Sequence, residues 1–266
     1  MAEYTRIKPH RLPDLLLAEG VSSFDTAEAA RRTGLARARI YDALRRLVSA
    51  GEIFSPARGF YVIIPPQYRS WSAVPAAWFV DPMMAHLNRS YYVGLLSAAE
   101  AFGAAHQRSQ AFQVVVDKYL PNRAFGRVRI QFVVNQHAAL LPAKKLNTPT
   151  GTMRVSTPAV TALDLVSRPL HAGGLDNVAT VLIELNEEHR LAERDLVELA
   201  VAYPSGSVRR LGYLLERYCD LQLAGLRAKT EPEGREPAPL DPSGPRRGHV
   251  DPRWNLRLNA DIEPEL

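Results

Sequence analysis

The sequence predicts an α+β protein with an N-terminal winged helix-turn-helix domain followed by a larger mixed α+β domain. The length of 266 residues suffices for about two domains, and strand-like segments are followed by helix-like segments later in the chain. The basic excess is local, because the whole chain carries +5 while residues 31–69 alone carry +6. Localised positive charge is typical of a surface that binds a phosphate backbone, although an ordinary solvated surface has the same signature.

Two short helices joined by a tight turn are predicted near the N-terminus. Asp25 followed three residues later by Glu28 has the spacing of a capping box, which indicates a helix start. Gly34 supplies the left-handed conformation that the turn requires. The second helix is predicted from about Ala36 to Ala50, and its core-facing stripe is expected to contain Ile40, Leu44, Leu47 and Val48.

The opposite face of the second helix is rich in arginine. A helix and a glycine turn followed by such a helix are typical of the helix-turn-helix, whose second helix enters the major groove of DNA. The next segment predicts a β-hairpin, with Ile53 and Phe54 before a turn at residues 56–59 and Phe60 to Val62 after it. The hairpin has the position of a wing.

The candidate DNA-binding residues are Arg37, Arg39, Tyr41, Arg45, Arg46 and Arg58. Arg37 and Arg39 lie near the start of the second helix, where arginine can form bidentate contacts with guanine. Arg45, Arg46 and Arg58, the last near the wing tip, are expected to contact phosphates, which gives affinity without reading sequence. Tyr41 either contacts DNA or braces the wing. Asp42 either accepts from a cytosine amino group or forms an ion pair on its own helix.

Proline and glycine predict where the chain divides. The proline-containing stretch 65–75 continues neither a helix nor a central strand, so the DNA-binding domain is predicted over residues 1–70 and the second domain over residues 76–266. Nine of the 23 residues from 230 to 252 are Pro or Gly, which predicts a Pro-rich segment that is either an extended linker or a wrapping arm. Alternating apolar and polar residues then predict a terminal strand over residues 253–259.

Helices and strands are both predicted inside the second domain. The predicted strands cover residues 112–116, 127–134 and 152–155. The predicted helices cover residues 92–106, about 157–166, 175–189, 193–202 and 207–223. The helix near residue 158 is expected to have Ser156 or Thr157 as its cap and Pro158 at its first position.

Several stretches of the second domain carry a family resemblance. They are PMMAHLNRSYYVGLLSAAEAFGAAHQ (82–107), TPTGTMRVSTPAVTALDLV (148–166), GGLDNVATVLIEL (173–185), VRRLGYLLERY (208–218) and the ending RWNLRLNADIEPEL. In this order they resemble the AbiE-type antitoxins (AbiEi), which are transcriptional regulators of bacterial type IV toxin–antitoxin systems. The resemblance covers nearly the whole chain.

The resemblance implies a protein with two activities. The winged helix would bind inverted repeats in double-stranded DNA at its own promoter and repress the operon. The C-terminal domain would counter a cognate nucleotidyltransferase-like toxin, in a family whose antitoxins are generally thought not to form a stable complex with it. The basic candidates for antitoxicity are Arg127, Arg129, Lys144, Lys145, Arg209 and Arg210, although exposed Lys and Arg are usually solvated surface.

Motif searches point away from enzymes. The sequence has no phosphate loop, dinucleotide-binding glycine motif or nucleophile turn, and its seven histidines lack metal-ligand spacing, so no catalytic activity, metal or cofactor is expected. Asp117 with Lys118 is the nearest approach to a nuclease site, but the usual Glu-x-Lys is absent.

Cellular location follows from two further features of the sequence. The chain has one cysteine, Cys219, and no long apolar run, so we expect a cytoplasmic protein that does not contact a membrane.

The competing functional interpretation is a ligand-responsive winged-helix repressor whose second domain senses a small molecule.

Overall fold

A computed structural model of the protein describes residues 7–104, 109–230 and 236–265, and the chain divides into two compact units. The first unit comprises Met1–Tyr91, Gln110–Ala138 and Lys145–Arg154, and the second comprises Tyr92–Ser109, Ala139–Lys144 and Val155–Leu266. Both units are therefore discontinuous in sequence. The predicted α+β class is confirmed, whereas the domain boundary predicted between residues 70 and 76 stays a prediction.

The first unit begins with six elements in the order expected of a winged helix-turn-helix. They are α1 (Leu12–Ala18), β1 (Ser23–Asp25), α2 (Thr26–Thr33), α3 (Arg37–Ser49), β2 (Ile53–Ala57) and β3 (Phe60–Ile63). The strands pair antiparallel in the order β1-β3-β2, with Phe24 opposite Tyr61 and Phe54 opposite Val62. The helices bury one face each in a common core, which contains Leu12, Leu16, Phe24, Ile40, Leu44 and Ile53.

A short helix and six further strands follow along the chain. They are α4 (Val80–His86), β4 (Tyr91–Val93), β5 (Phe112–Val116), β6 (Arg123–Phe125), β7 (Val128–Val134), β8 (Ala143–Thr148) and β9 (Gly151–Ser156). Within the first unit, β5 pairs parallel to β7, and β6 pairs antiparallel to β7. The strands predicted at residues 112–116 and 127–134 are confirmed. The chain crosses between the units inside β4, β8 and β9.

The second unit is mainly helical. It contains α5 (Leu95–Ala101), α6 (Pro158–Ser167), α7 (Leu175–His189), α8 (Glu193–Leu199), α9 (Ser205–Tyr218) and α10 (Ala224–Thr230). The helix predicted over residues 92–106 is wrong at its start, and its last two residues lie outside the described part of the chain. Tyr92 and Val93 belong to a strand instead, since aromatic and β-branched residues suit a sheet and Val93 pairs with Val155.

Helix α6 is the centre of the second unit. Eight consecutive residues, Ala159 to Val166, are buried, so this helix is covered on nearly every side. Asp164 is among them, and its carboxylate accepts hydrogen bonds from the hydroxyls of Tyr92 (2.9 Å) and Tyr203 (3.0 Å). Burial, reinforced by the Asp164 charge, raises the pKa of both tyrosines far above the usual range, so both phenols remain donors.

Helix α9 fixes the C-terminal end of α6 through a buried arginine. Arg210 donates to the carbonyl oxygens of Val166 (2.7 Å), Pro239 (2.9 Å) and Leu240. The last carbonyl groups of a helix lack partners within the helix, and Arg210 supplies one for Val166. Burial lowers the pKa of Arg210 to about 10, which still leaves the side chain charged at neutral pH.

The described part of the Pro-rich arm is folded onto the second unit. It forms β10 (Ala238–Pro239) and β11 (His249–Asp251), which flank β12 (Leu256–Leu258) in a small sheet. The extended linker or wrapping arm over residues 230–252 stays a prediction, and in its described part Leu240 is buried at 1% exposure. Residues 231–235 lie outside the described residues. The terminal strand predicted over residues 253–259 is shorter than expected.

The C-terminal strand is locked to α9 by a tryptophan. Trp254 lies so close to Gly212 that a Cβ atom there would overlap the indole ring. The carboxylate of Glu216 accepts from the indole Nε1 of Trp254 (2.9 Å) and from Arg253 (2.8 Å). The hydrogen bond from Arg253 lowers the pKa of Glu216. None of the helices in the described part of the chain is both long and apolar enough to cross a membrane.

We predict that Gly212→Ala lowers the free energy of unfolding by about 1 to 3 kcal/mol, because the added methyl group must displace the Trp254 ring. Urea denaturation of the purified protein measures the effect. Adding Trp254→Leu to Gly212→Ala removes the overlap, so the double variant should lose less stability than the sum of the two single variants. Simple additivity would contradict this packing.

We predict that Arg210→Met and Arg210→Lys each destabilise the protein by about 2 to 4 kcal/mol, because neither side chain satisfies three buried carbonyl groups in the geometry of a guanidinium. The matched control is Arg194→Met, since the Arg194 side chain is 85% exposed. The control should leave stability close to that of the natural protein. An Arg210→Lys variant as stable as the natural protein would contradict the proposed role.

Candidate nucleic-acid interface

The turn between α2 and α3 has the predicted geometry. The side chain of Asp25 accepts from the backbone amide of Glu28 at 2.7 Å, which confirms the cap at the start of α2. Gly34 ends α2 with φ 64°, in the left-handed region. Helix α3 begins three residues later at Arg37, so its N-terminal end directly follows the turn.

Three of the four predicted core positions of α3 are buried. Ile40, Leu44 and Leu47 are at most 4% exposed, whereas Val48 is 41% exposed. Val48 lies in the last turn of α3, directly after Leu47 and at the edge of the buried stripe of the helix. The placement of Val48 in the core was therefore wrong, while the orientation of α3 was right.

The outward face of α3 carries cations without acidic partners. Arg37, Arg39, Arg45 and Arg46 are all exposed, as is Tyr41 at 39%. Within the described part of the chain, Asp42 lies 4.0 Å from Arg45 at the limit of an ion pair, and the other three arginines have no carboxylate partner. The ion-pair alternative for Asp42 thus has a weak counterpart in the structure, through Arg45.

The arginines of α2 differ from those of α3. Arg32 donates to both carboxylate oxygens of Glu19 (2.9 and 2.8 Å) and to Glu28 (2.8 Å). Arg31 also pairs with Glu28. These two cations are neutralised within the first unit, so the unpaired positive charge of the two helices lies on α3 and not on α2.

The β2–β3 hairpin provides the predicted wing. Its turn at Arg58 and Gly59 is held by the backbone amide of Thr26, which donates to Gly59 O at 3.0 Å, and by His86 Nε2, 3.0 Å from Arg58 O. The Arg58 side chain is exposed. The base of the wing is fixed by Phe54, whose ring lies 5.2 Å from that of Phe79 and 5.3 Å from that of Phe125. The wing therefore presents Arg58 from a rigid backbone.

The net charges of the two units have opposite signs. The first unit holds 18 Lys/Arg and nine Asp/Glu, a net charge of +9. The second holds the other 15 Lys/Arg and 19 Asp/Glu, a net charge of −4, so the two values give the +5 of the whole chain. An overall charge that looks mild in the sequence is therefore a strongly basic unit joined to an acidic one.

The six candidates for antitoxicity do not form one cluster. Arg127, Arg129 and Lys145 belong to the first unit and Lys144 to the second, and all four are exposed. Arg209 and Arg210 are only 2% and 4% exposed, and both donate to backbone carbonyl groups of the second unit. Their burial is a structural role that the sequence pattern did not reveal, because an arginine pair on a helix resembles a solvated face.

Asp117 and Lys118 both accept structural hydrogen bonds. Asp117 accepts from Arg89 at 3.0 Å, and Arg89 also donates to the carbonyl oxygen of Lys118. Although partial burial works in the opposite direction, Arg89 lowers the pKa of Asp117. No group of three or more potential metal ligands is present in the described ranges.

The second unit contains an open cleft of about 560 Å³. It lies between the start of α6, at Thr157 and Pro158, and the α7–α8 connection, at His189 and Arg190. Lys144, His189 and Arg190 contribute basic groups, and Asp195 and Glu198 contribute acidic ones. The sequence does not predict this cleft, because its walls come from three separate segments of the chain.

Comparison with known proteins identifies part of the chain. Residues 92–217 match the family model of the AbiEi antitoxin C-terminal domain. A crystal structure of RV2827C protein from Mycobacterium tuberculosis matches with a TM-score of 0.69, covering 94% of this chain and 92% of that chain at 17% sequence identity. A likeness at that identity shows the fold alone. Among curated proteins, no match is found.

The matched range contains two of the stretches on which the resemblance is based and most of two others, which confirms the predicted resemblance to that family. The match of residues 92–217 to the AbiEi antitoxin C-terminal domain supports an AbiEi-type antitoxin of a toxin–antitoxin system.

Proposed function

We propose that the chain represses its own operon by binding inverted repeats through α3 and the wing, and that it counters a nucleotidyltransferase-like toxin. The observation that carries the DNA-binding part is the exposed face of α3, where Arg37, Arg39 and Arg46 have no carboxylate partner among the described residues. The partly buried cations Arg32 and Arg89 of this unit are paired with carboxylates, while these three are exposed to solvent. Arginines without carboxylate partners on the second helix of a helix-turn-helix are suited to binding DNA.

The position along α3 assigns a role to each arginine. Arg37 and Arg39 lie in the first turn, the part of a recognition helix that contacts base edges. Arg45 and Arg46 lie later on the helix and supply phosphate contacts that fix its register. Tyr41 lies between the two groups and is available to either a base or a sugar. Arg58 reaches a phosphate or the minor groove from the wing.

Two copies of the chain are needed to occupy an inverted repeat, one on each half-site. Binding should weaken as salt rises, with the logarithm of affinity falling by about 0.9 per phosphate neutralised for each unit of log salt concentration. Both the promoter and a toxin of this class lie in the cytoplasm, so the two proposed activities require the protein to act there.

We predict that Arg37→Ala or Arg39→Ala reduces the preference for the duplex upstream of this gene over a random duplex by about 1 to 3 kcal/mol, because a base contact is lost. Arg58→Ala should weaken binding to both duplexes alike, because a phosphate contact carries no sequence information. Fluorescence anisotropy titrations of the full chain measure both affinities.

Arg246→Ala is the control for these DNA titrations. It removes an equal charge from an exposed position of the second unit and should leave both affinities unchanged. If Arg37→Ala and Arg39→Ala both preserve the preference for the upstream duplex, α3 is not the recognition helix.

We predict that a nucleotidyltransferase-like gene beside this one arrests growth when expressed alone, and that co-expression of this chain from an unrelated promoter restores growth. Colony counts with and without the antitoxin measure the rescue. The variant Arg37→Ala/Arg39→Ala should rescue equally well, because the unrelated promoter removes repression from the assay. Continued growth arrest with the natural chain would contradict the antitoxin proposal for this gene pair.

The cleft of the second unit favours one alternative function. Its volume of about 560 Å³ falls in the range of small-molecule sites, which is roughly 300 to 1,000 Å³. A ligand-responsive repressor would release the upstream duplex when a small-molecule fraction of the cell lysate is added, and it would not rescue cells from a toxin. The two outcomes separate the sensor from the antitoxin.

A further inference from the structure

A second basic surface lies in the first unit, on elements that are distant in sequence from the winged helix. Between Glu100 and Asp164 the chain has one acidic residue, Asp117, and this carboxylate is paired with Arg89. The same stretch includes the β6–β7 hairpin, with Arg123 on β6, Arg127 in the turn and Arg129 on β7. The hairpin therefore has positive charge and no acidic residue of its own. We call this feature the basic ribbon.

The register of the basic ribbon shows which of its cations faces solvent. Arg129 lies directly opposite Ala124, and both residues are exposed, whereas Ile130 on the other face is buried. Alternate residues of a strand point to opposite faces, so Arg129 is on the outer face of the ribbon. No ion pair involves Arg123, Arg127 or Arg129 within the ranges that the structure describes.

The turn of the basic ribbon is held by contacts with Trp71. Gly126 has φ 51°, and a Cβ atom there would overlap the carbonyl oxygen of Trp71. Arg127 N donates to that same carbonyl oxygen at 3.2 Å. The Arg127 guanidinium lies over the Trp71 ring, 6.0 Å from its centroid, and the indole is 40% exposed. A cation–π contact of this kind orients the guanidinium while its donor groups stay available.

The basic ribbon and the wing share one aromatic cluster. Phe125 on β6 packs against Phe54 on β2 at 5.3 Å, and Phe54 also contacts Phe79 at 5.2 Å. The two hairpins are thus attached to the same core within the first unit. The strands that carry the wing and the basic ribbon are therefore packed against each other through Phe54 and Phe125.

We propose that the basic ribbon is a second DNA-binding element, which contacts the phosphate backbone of duplex DNA that flanks the site read by α3. The inference rests on the proposed DNA-binding function and extends it. Two exposed cations without acidic neighbours, Arg127 and Arg129, match the charge of a phosphate backbone. A rigid two-stranded ribbon is also a shape that a DNA groove admits. Arg127 and Arg129 would accordingly serve DNA binding and not toxin neutralisation.

The test uses the full chain with the variant Arg127→Ala/Arg129→Ala. Its affinity for the duplex upstream of the gene and for a random duplex should fall together, and the slope of log affinity against log salt should be smaller by about 2, since two phosphate contacts are lost. Hydroxyl-radical footprinting should show shortened protection at the outer ends of the site. Rescue of growth from the neighbouring toxin should be unchanged.

Two matched variants define the cause of any loss. Arg127→Lys/Arg129→Lys should keep the salt slope of the natural chain, because a phosphate contact needs the charge more than the planar fork. Arg246→Ala/Arg247→Ala removes two exposed charges from the second unit and should change nothing. If the double alanine variant unfolds, the single variant Arg129→Ala replaces it in the test. Arg129 lies on the solvent face, so its removal should still reduce the slope of log affinity against log salt by about 1.

Other outcomes overturn the proposal. Unchanged DNA affinity with lost rescue would assign the basic ribbon to toxin neutralisation, and unchanged affinity with unchanged rescue would make it an ordinary solvated face. A loss confined to single-stranded RNA would assign it to RNA. If Arg37→Ala abolishes sequence preference while the ribbon variants leave the salt slope intact, only the ribbon proposal fails. If the natural chain binds neither duplex, the proposed DNA-binding function fails with it.

Discussion

The burial of helix α6 is the constraint on which the second unit depends. A helix covered on nearly every side cannot leave a carboxylate or its terminal carbonyl groups to water, so the surrounding elements must supply partners. Tyr92 and Tyr203 donate to Asp164, and Arg210 donates to Val166 O and to two carbonyl oxygens of the C-terminal arm. Polar contacts thus fix the strand before α5, the connection between α8 and α9, helix α9 and the arm around one apolar helix.

The burial of α6 explains why the stretches that resemble the AbiE-type antitoxins present few exposed reactive or charged side chains. One supplies Tyr92, one is α6 itself and one supplies Arg210 and Gly212, so these stretches meet around the same buried helix. Their residue types were visible in the sequence, but their partners were not. An Arg–Arg pair on a helix gives no sign of burial until the carbonyl groups it satisfies, 21 to 46 residues away in the chain, are in place.

The N-terminal elements were predictable because their determinants are local. A cap at Asp25, a glycine at residue 34 and an apolar stripe on α3 are each set by residues within one or two helical turns. Val48 was misplaced because exposure at a helix end depends on what packs there. The strand at Tyr92 was missed for a related reason, since its pairing with β9 joins residues that are far apart in sequence.

Contacts between residues that are far apart in sequence also determine how the net charge is divided between the two units. By position along the chain, the basic excess ends near residue 70, yet the first unit also contains residues 110–138 and 145–154, and its net charge is +9. Phe54 of the wing packs against Phe79 and Phe125, so a fragment that ends at residue 70 would lack two of its partners. Residues 110–138 lie inside the antitoxin-domain match and still belong to the first unit, which carries the proposed DNA-binding surface. The two proposed activities therefore use interleaved segments of one chain, and single-residue variants separate them where truncation cannot.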